Sequence, residues 1–428
     1  MVEMRQFFEK GRLRERPNPW ILRGILLSAL LQCACLWDYD TIEMERQQFP
    51  DTYELIVGKF LRHSPKFYQW RVKDREQRIA LAPDSLPLYD DLAVAYSKLH
   101  NNQAAIRVIL AKDSIRPGLY ETYANLGTFY LHDGQLRRGI TYIQKAIEIN
   151  PDAHFGREVY QKYLAEYLLS KFPDEKIHVP VNKEKDDYFG EVECNNFYTF
   201  LRKQHNKKRK EPSNHLTADE FDKALKGVLG MMKFGNFDSP VLLEALGDLL
   251  SHAVQKPMHK DDYGGSYTYS ARNLAARAYL KASWATKDAG AKKIYEEKAW
   301  NILEMDKIAD DYSARGKLGV YQELISTSLR TSVAEADQFY QRIKANEERW
   351  IAQGKNPEYA FDQMYYHQVV AGPERRVPDD PEWATSAKPD QANHDPASPG
   401  QPFPYVSAVL GLLVALGVVG VAFWRFYR

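Results

Sequence analysis

Apolar residues in this chain recur at helical spacing, and the pattern is sharpest between Pro83 and Pro151. Pro83, Pro117 and Pro151 fall at a fixed interval of 34 residues, and a period of that length predicts a helical repeat. Tyr89, Leu92, Ala93, Tyr96 and Ala105 precede Pro117; Tyr123, Leu126, Gly127, Tyr130, Gly139 and Ala146 precede Pro151 in the same register. The bulky residues three to four apart line one buried stripe. The small residues Ala93 and Gly127 let two helices approach, and each proline ends a second helix because it cannot continue the hydrogen-bond ladder.

The flanks keep helical periodicity with less regularity. Thr41 to Pro83 predicts two helices broken at Ser64-Pro65, a hairpin capping the repeats. After Pro151, Tyr160, Tyr163, Leu164, Tyr167 and Leu168 keep the spacing without the small residues. In the second half Thr217 and Glu220 form a capping box, opening a helix to about Met232. Ser239-Pro240 begins another, in which Leu246, Gly247 and Leu250 echo the repeat. Further helices are expected after Ser270 and over about 289–306, 309–330, 333–353 and 357–370. Strand-like alternation is absent, so the fold class is all-α.

With Leu86 and Tyr120 as first positions, the two registers resemble the tetratricopeptide repeat, with clear units at 86–119 and 120–153. Lys112 departs from the pattern, standing where a small residue is usual. The resemblance implies a helical-hairpin solenoid whose first helices line a concave, partner-binding groove. Carried over by position, that groove takes Asp90, Asp91 and Val94, then Glu121, Asn125 and Thr128, then Glu158 and Lys162. Its acidic character suits a basic or neutral peptide or protein; Asn125 and Lys162 are the residues that resemble a carboxylate clamp.

The two ends of the chain add an expectation about location. A basic N-terminal stretch leads into Gly24–Trp37, fourteen uncharged residues, the length of a signal-peptide apolar region, and acids follow at once. Residues 1–37 are therefore expected to act as a signal peptide or signal anchor, with lipidation at Cys33 or Cys35 as an alternative. From Gly372 to Pro404 eight prolines fall in 33 residues, the composition of a stiff tether. Tyr405–Trp424 is twenty uncharged residues, ~30 Å as a helix. A single C-terminal span is expected there, with 425–428 as a cytoplasmic tail and the bulk exported; a cytosolic tail-anchored protein is the other arrangement. Ser407, Gly411 and Ala415 form a small-residue stripe that hints at weak self-association.

Composition narrows the chemistry. The net charge is +1, and the basic run Arg202–Lys210 has no interleaved aromatics, so nucleic acid is not an expected partner. Three cysteines cannot build a disulfide framework. No phosphate-binding glycine loop, nucleophile elbow or metal-ligand spacing occurs, and no catalytic residue, cofactor or metal is expected. The domain reading is a solenoid over 41–172, a polar and basic linker over 173–215, and an all-α region over 216–371. A loop from Pro257 to Tyr269, bearing Tyr263, Tyr267 and Tyr269, is a candidate contact surface. The expected function is a membrane-tethered interaction scaffold. The alternative is a cell-envelope enzyme whose site lies in 216–371, with the repeats as a docking module.

Overall fold

The computed structural model describes residues 50–151, 153–184, 195–253, 265–310 and 318–366. The chain divides into two compact units, 1–384 and 385–428, and every described residue belongs to the first. Among the described residues the fold is all-α, without strands. Its helices are α1 (Thr52–Val57), α2 (Pro65–Leu81), α3 (Leu86–Lys98), α4 (Asn102–Ile115), α5 (Tyr120–His132), α6 (Leu136–Ile149) and α7 (Arg157–Lys171). The order continues with α8 (Phe197–Asn206), α9 (Ala218–Phe234), α10 (Pro240–Ser251), α11 (Gly265–Ala285), α12 (Ala289–Asp310), α13 (Leu318–Ala352) and α14 (Pro357–Phe361).

Local chemistry sets the helix ends. Thr217 and Glu220 exchange side-chain-to-backbone hydrogen bonds of 3.2 and 2.8 Å, forming the capping box that opens α9. Ser64, Ser239 and Asn356 cap α2, α10 and α14, each followed by a proline at the first helical position, where its missing N–H costs nothing. Gly58 closes α1 in the left-handed region at φ 86°.

Two antiparallel hairpins, α3–α4 and α5–α6, stack on one another, with α2 before them and α7 after. The second hairpin depends on the smallness of Gly127 and Gly139. A Cβ on Gly127 would lie 2.9 Å from the backbone nitrogen of Ile143, and one on Gly139 would lie 3.0 Å from the carbonyl of Gly127. Here two helices cross backbone to backbone. The apolar faces of α3, α4 and α5 form one cluster with Leu92, Val94, Ile109, Leu126 and Phe129, and Phe234 from the end of α9 belongs to it. A larger core runs from Leu55 on α1 through α5–α13 to Ala336.

Several sequence expectations are corrected. Helix α1 packs chiefly on α9, α11 and α13 rather than forming a hairpin with α2. The stretch read as a linker over 173–215 contains α8, whose Phe197 and Leu201 are fully buried. The basic run is the end of α8 and its turn, where Arg209 pairs with Glu220 and Lys208 donates to the Tyr163 hydroxyl at 3.3 Å. Helices expected over 309–330 and 333–353 are one helix in 318–352, because no glycine or proline interrupts the join. The last helix stops at Phe361 and passes into a π turn, Asp362–Tyr366.

The expected membrane location is also corrected: no helix among the described residues is long and apolar enough to cross a membrane. The segments that carried the expectation, 1–37, 372–404 and 405–424 with Ser407, Gly411 and Ala415, lie outside the described residues.

In an open helix Ala outdoes Gly by about 1 kcal/mol. Gly127→Ala is nevertheless expected to destabilise the chain, by about 1–3 kcal/mol, because the added carbon meets backbone that cannot rotate away. A lower urea midpoint is the expected reading; a raised midpoint would show that the crossing has slack.

Candidate functional site: a buried polar ladder

The first helices α3, α5 and α7 present polar residues to one another rather than to water. Asn125 donates to Asp90 at 3.1 Å, and Gln161 donates to Thr128 at 3.2 Å. The Tyr120 hydroxyl donates to Glu158 at 2.6 Å, and Ser97 lies 3.2 Å from His132 Nδ1. Their sequence separations are 35, 33, 38 and 35. Each rung thus joins α3 to α5 or α5 to α7.

This arrangement leaves little of the expected groove open. Asp90, Asp91, Val94, Asn125, Thr128 and Glu158 are all buried, whereas Glu121 and Lys162 are half-buried. Lys112, the departure from the repeat pattern, reaches Asp90 at 2.6 Å, so the charge that looked misplaced neutralises a buried acid. Burial pushes the Asp90 carboxyl up to about 7, against the pull of Lys112 and Asn125. Asp91 accepts from Arg75 Nε at 2.9 Å. Lys162 pairs with Glu166 at 3.3 Å on its own helix.

The chain's own second half occupies the face. Lys98 donates to the carbonyls of Phe234 and Gly235 at the end of α9. The Arg157 guanidinium lies 4.7 Å from the centre of the Phe234 ring. At the other edge, Arg71 and Arg75 both hold Glu358 of α14, at 2.7 and 2.5 Å. His63 and the backbone N–H of Ser64 meet Glu347 of α13 at 2.5 and 2.8 Å, with the imidazole stacked 3.6 Å from Phe67.

A second polar centre lies in the larger core. Glu244 and Asp248, one turn apart on α10, are 1 % and 0 % exposed. Glu244 accepts from the backbone N–H groups of Val181 and Asn182 at 2.8 and 2.9 Å and from the Tyr295 hydroxyl at 2.7 Å. Asp248 accepts from the Phe197 N–H at 3.0 Å and the Tyr279 hydroxyl at 2.6 Å. Lys298 stands between them, 3.3 Å from Glu244 and 3.8 Å from Asp248. Burial, then Glu244, raises the Tyr295 phenol well above its ordinary range, so it stays protonated and keeps donating. Carboxylates held by this many donors serve as anchors for the chain that crosses them.

The centre has a signal in the sequence: two acids at i and i+4 inside PVLLEALGDLLS, an otherwise apolar helix. Of the three candidate loop tyrosines, Tyr263 lies outside the described residues. Tyr267 and Tyr269 fall within α11, which begins at Gly265, so this part of the expected loop is helix. Among the described residues, no group of three or more His, Cys, Asp or Glu is placed to hold a metal ion.

Two consequences can be measured. The folded pKa of Asp90 lies above that of an unfolded Asp, near 3.9. Its contribution to stability is therefore fully present below about pH 4 and is lost as the pH rises through about 7. In urea unfolding, the stability of the wild type relative to Asp90→Asn should fall between about pH 4 and about pH 7, and a constant difference would contradict the shift. Glu244→Ala strands Lys298 and two backbone donors, and is expected to cost about 3–5 kcal/mol in the same measurement.

Comparison with protein-family models, curated proteins and solved structures finds no match for this chain.

Proposed function

We propose that this chain is an interaction scaffold of the tetratricopeptide type, a short solenoid of stacked helical hairpins that binds a protein or peptide partner. The observation that carries the reading is the set of rungs between successive first helices, at separations of 33 to 38 residues. Equivalent helices packed in sequence order are what a repeat architecture requires. The interval between prolines and the small residues Ala93 and Gly127 support the same reading.

In this reading the filled inner face separates the chain from scaffolds that keep a groove open for a ligand. Phe234, α9 and Glu358 act as a built-in occupant. They hold the hairpins in one arrangement and leave contact with a partner to other surfaces. A rigid scaffold of this kind spends little conformational entropy when it binds.

The test is selection of a displayed random-peptide library on the immobilised full chain. Enriched peptides that bind in calorimetry with one-to-one stoichiometry support the scaffold. No enrichment over an unrelated helical protein of similar charge would overturn it.

A further inference from the structure

Among the described residues six large apolar side chains are exposed; Leu110, Leu324 and Tyr359 stand apart, and the other three share a register. Leu81 ends α2, Ile115 ends α4 and Ile149 ends α6, and they are 87 %, 46 % and 47 % exposed. They recur at the same interval of 34 residues as the prolines, each two positions before one. A single exposed Leu or Ile calls for no explanation. These three share one phase, each closing the helix that precedes a proline. The prolines account for the ends of the helices; nothing in capping or core packing calls for an aliphatic residue at the last exposed position. A helix there is as well served by Lys or Gln.

The charge around the row is predominantly positive, with Asp84 and Glu148 as the exposed exceptions. Arg78, Arg107, Arg116, Arg138 and Lys145 are exposed on α2, α4 and α6 or the residue that follows α4. Among the described residues of those three helices, Glu148 is the exposed carboxylate. Arg137 is also exposed, but it is engaged by Glu175, as Arg78 is by Asp74. This local excess stands out in a chain with a net charge of +1. A second copy of the chain would bring like charges together on this face, which disfavours self-pairing. A nucleic acid would use the arginines but gain nothing from aliphatic residues, since bases stack on aromatic rings.

We infer that the row Leu81–Ile115–Ile149 with its basic margin is a docking surface for an acidic amphipathic helix of another protein. The inference rests on the scaffold reading, names its surface and specifies its partner. Packed helical layers repeat at roughly 10 Å. A helix rising 1.5 Å per residue and laid across three layers presents an apolar side chain to each if these recur about every seven residues. Its flanking Glu and Asp then meet the arginines. Electrostatic attraction speeds encounter and weakens with salt, while the aliphatic contacts set dissociation.

The probe is a synthetic helical peptide of about 18 residues with Leu about seven positions apart and Glu along both flanks. Fluorescence anisotropy is read against the full chain, the triple variant Leu81→Ser/Ile115→Ser/Ile149→Ser and the charge variant Arg107→Glu/Arg116→Glu. Circular dichroism and thermal melts verify that these surface variants stay folded. Saturable binding by the wild type, weakened at least about tenfold in each variant, is the expected result. Equal binding by the triple variant would overturn the row, as would tighter binding of a single-stranded oligouridine than of the peptide. Self-association of the wild type that the triple variant abolishes would reassign the face to a second copy. If library-selected peptides bind the wild type and the triple variant alike, the surface is wrong and the scaffold stands. If neither selected peptides nor the probe binds, both fail.

Discussion

A carboxylate removed from water must be met by donors, and in this molecule that requirement decides which segments lie together. Glu244 and Asp248 are buried on one face of α10, and their donors come from the chain before α8, from α11 and from α12. No rearrangement that moves Val181, Phe197 or Tyr279 away can leave these acids in place, because each lost partner strands a desolvated charge. An apolar core of the same size would tolerate sliding; a carboxylate with fixed donors does not. Stability comes mainly from the leucines, alanines and tyrosines of the surrounding core. The acids select one arrangement among those the core would accept.

The same device operates on the inner face of the hairpins. Asp90 is met by Lys112 and Asn125, Asp91 by Arg75, Glu158 by Tyr120 and Glu358 by two arginines. A stack of hairpins usually owes its binding surface to polar residues that remain unsatisfied until a ligand arrives. Here each of those residues has a partner within the chain, although Glu158 Oε2 is buried without a hydrogen bond among the described residues, and the second half of the chain packs against the same helices. In the scaffold reading proposed above, the asymmetry between a largely paired inner face and a mainly basic, aliphatic outer row is what favours the outside for partner recognition.

Much of this was legible in the sequence, for physical reasons that differ from element to element. The two hairpins showed because Gly127 weakens a helix unless a close approach requires it, and because a proline placed after an apolar helical run cannot continue that helix. The caps at Thr217 and Ser239 showed because capping is local. What failed to show was long-range. Asp90 and Asp91 look like surface residues until Lys112 and Arg75 are brought to them from neighbouring helices. Residues 195–215 look like a linker because their polar majority hides Phe197 and Leu201. The pair Glu244 and Asp248 was visible as two acids in an apolar helix, but their donors are contributed by residues from 181 to 298. Periodicity reports which face of a helix is apolar, not what another helix will bring to it.

The Arg71–Arg75–Glu358 clamp also bears on the order of events during synthesis. Its bonds span 287 and 283 residues, so the two arginines leave the ribosome long before the acid that neutralises them. The hairpins between residues 86 and 149 can form from local contacts as they emerge, and Asp74 and Asp91 are at hand for Arg75, whereas Glu358 comes last. The contacts of α2 with α13 and α14 are therefore the last of this edge to become available.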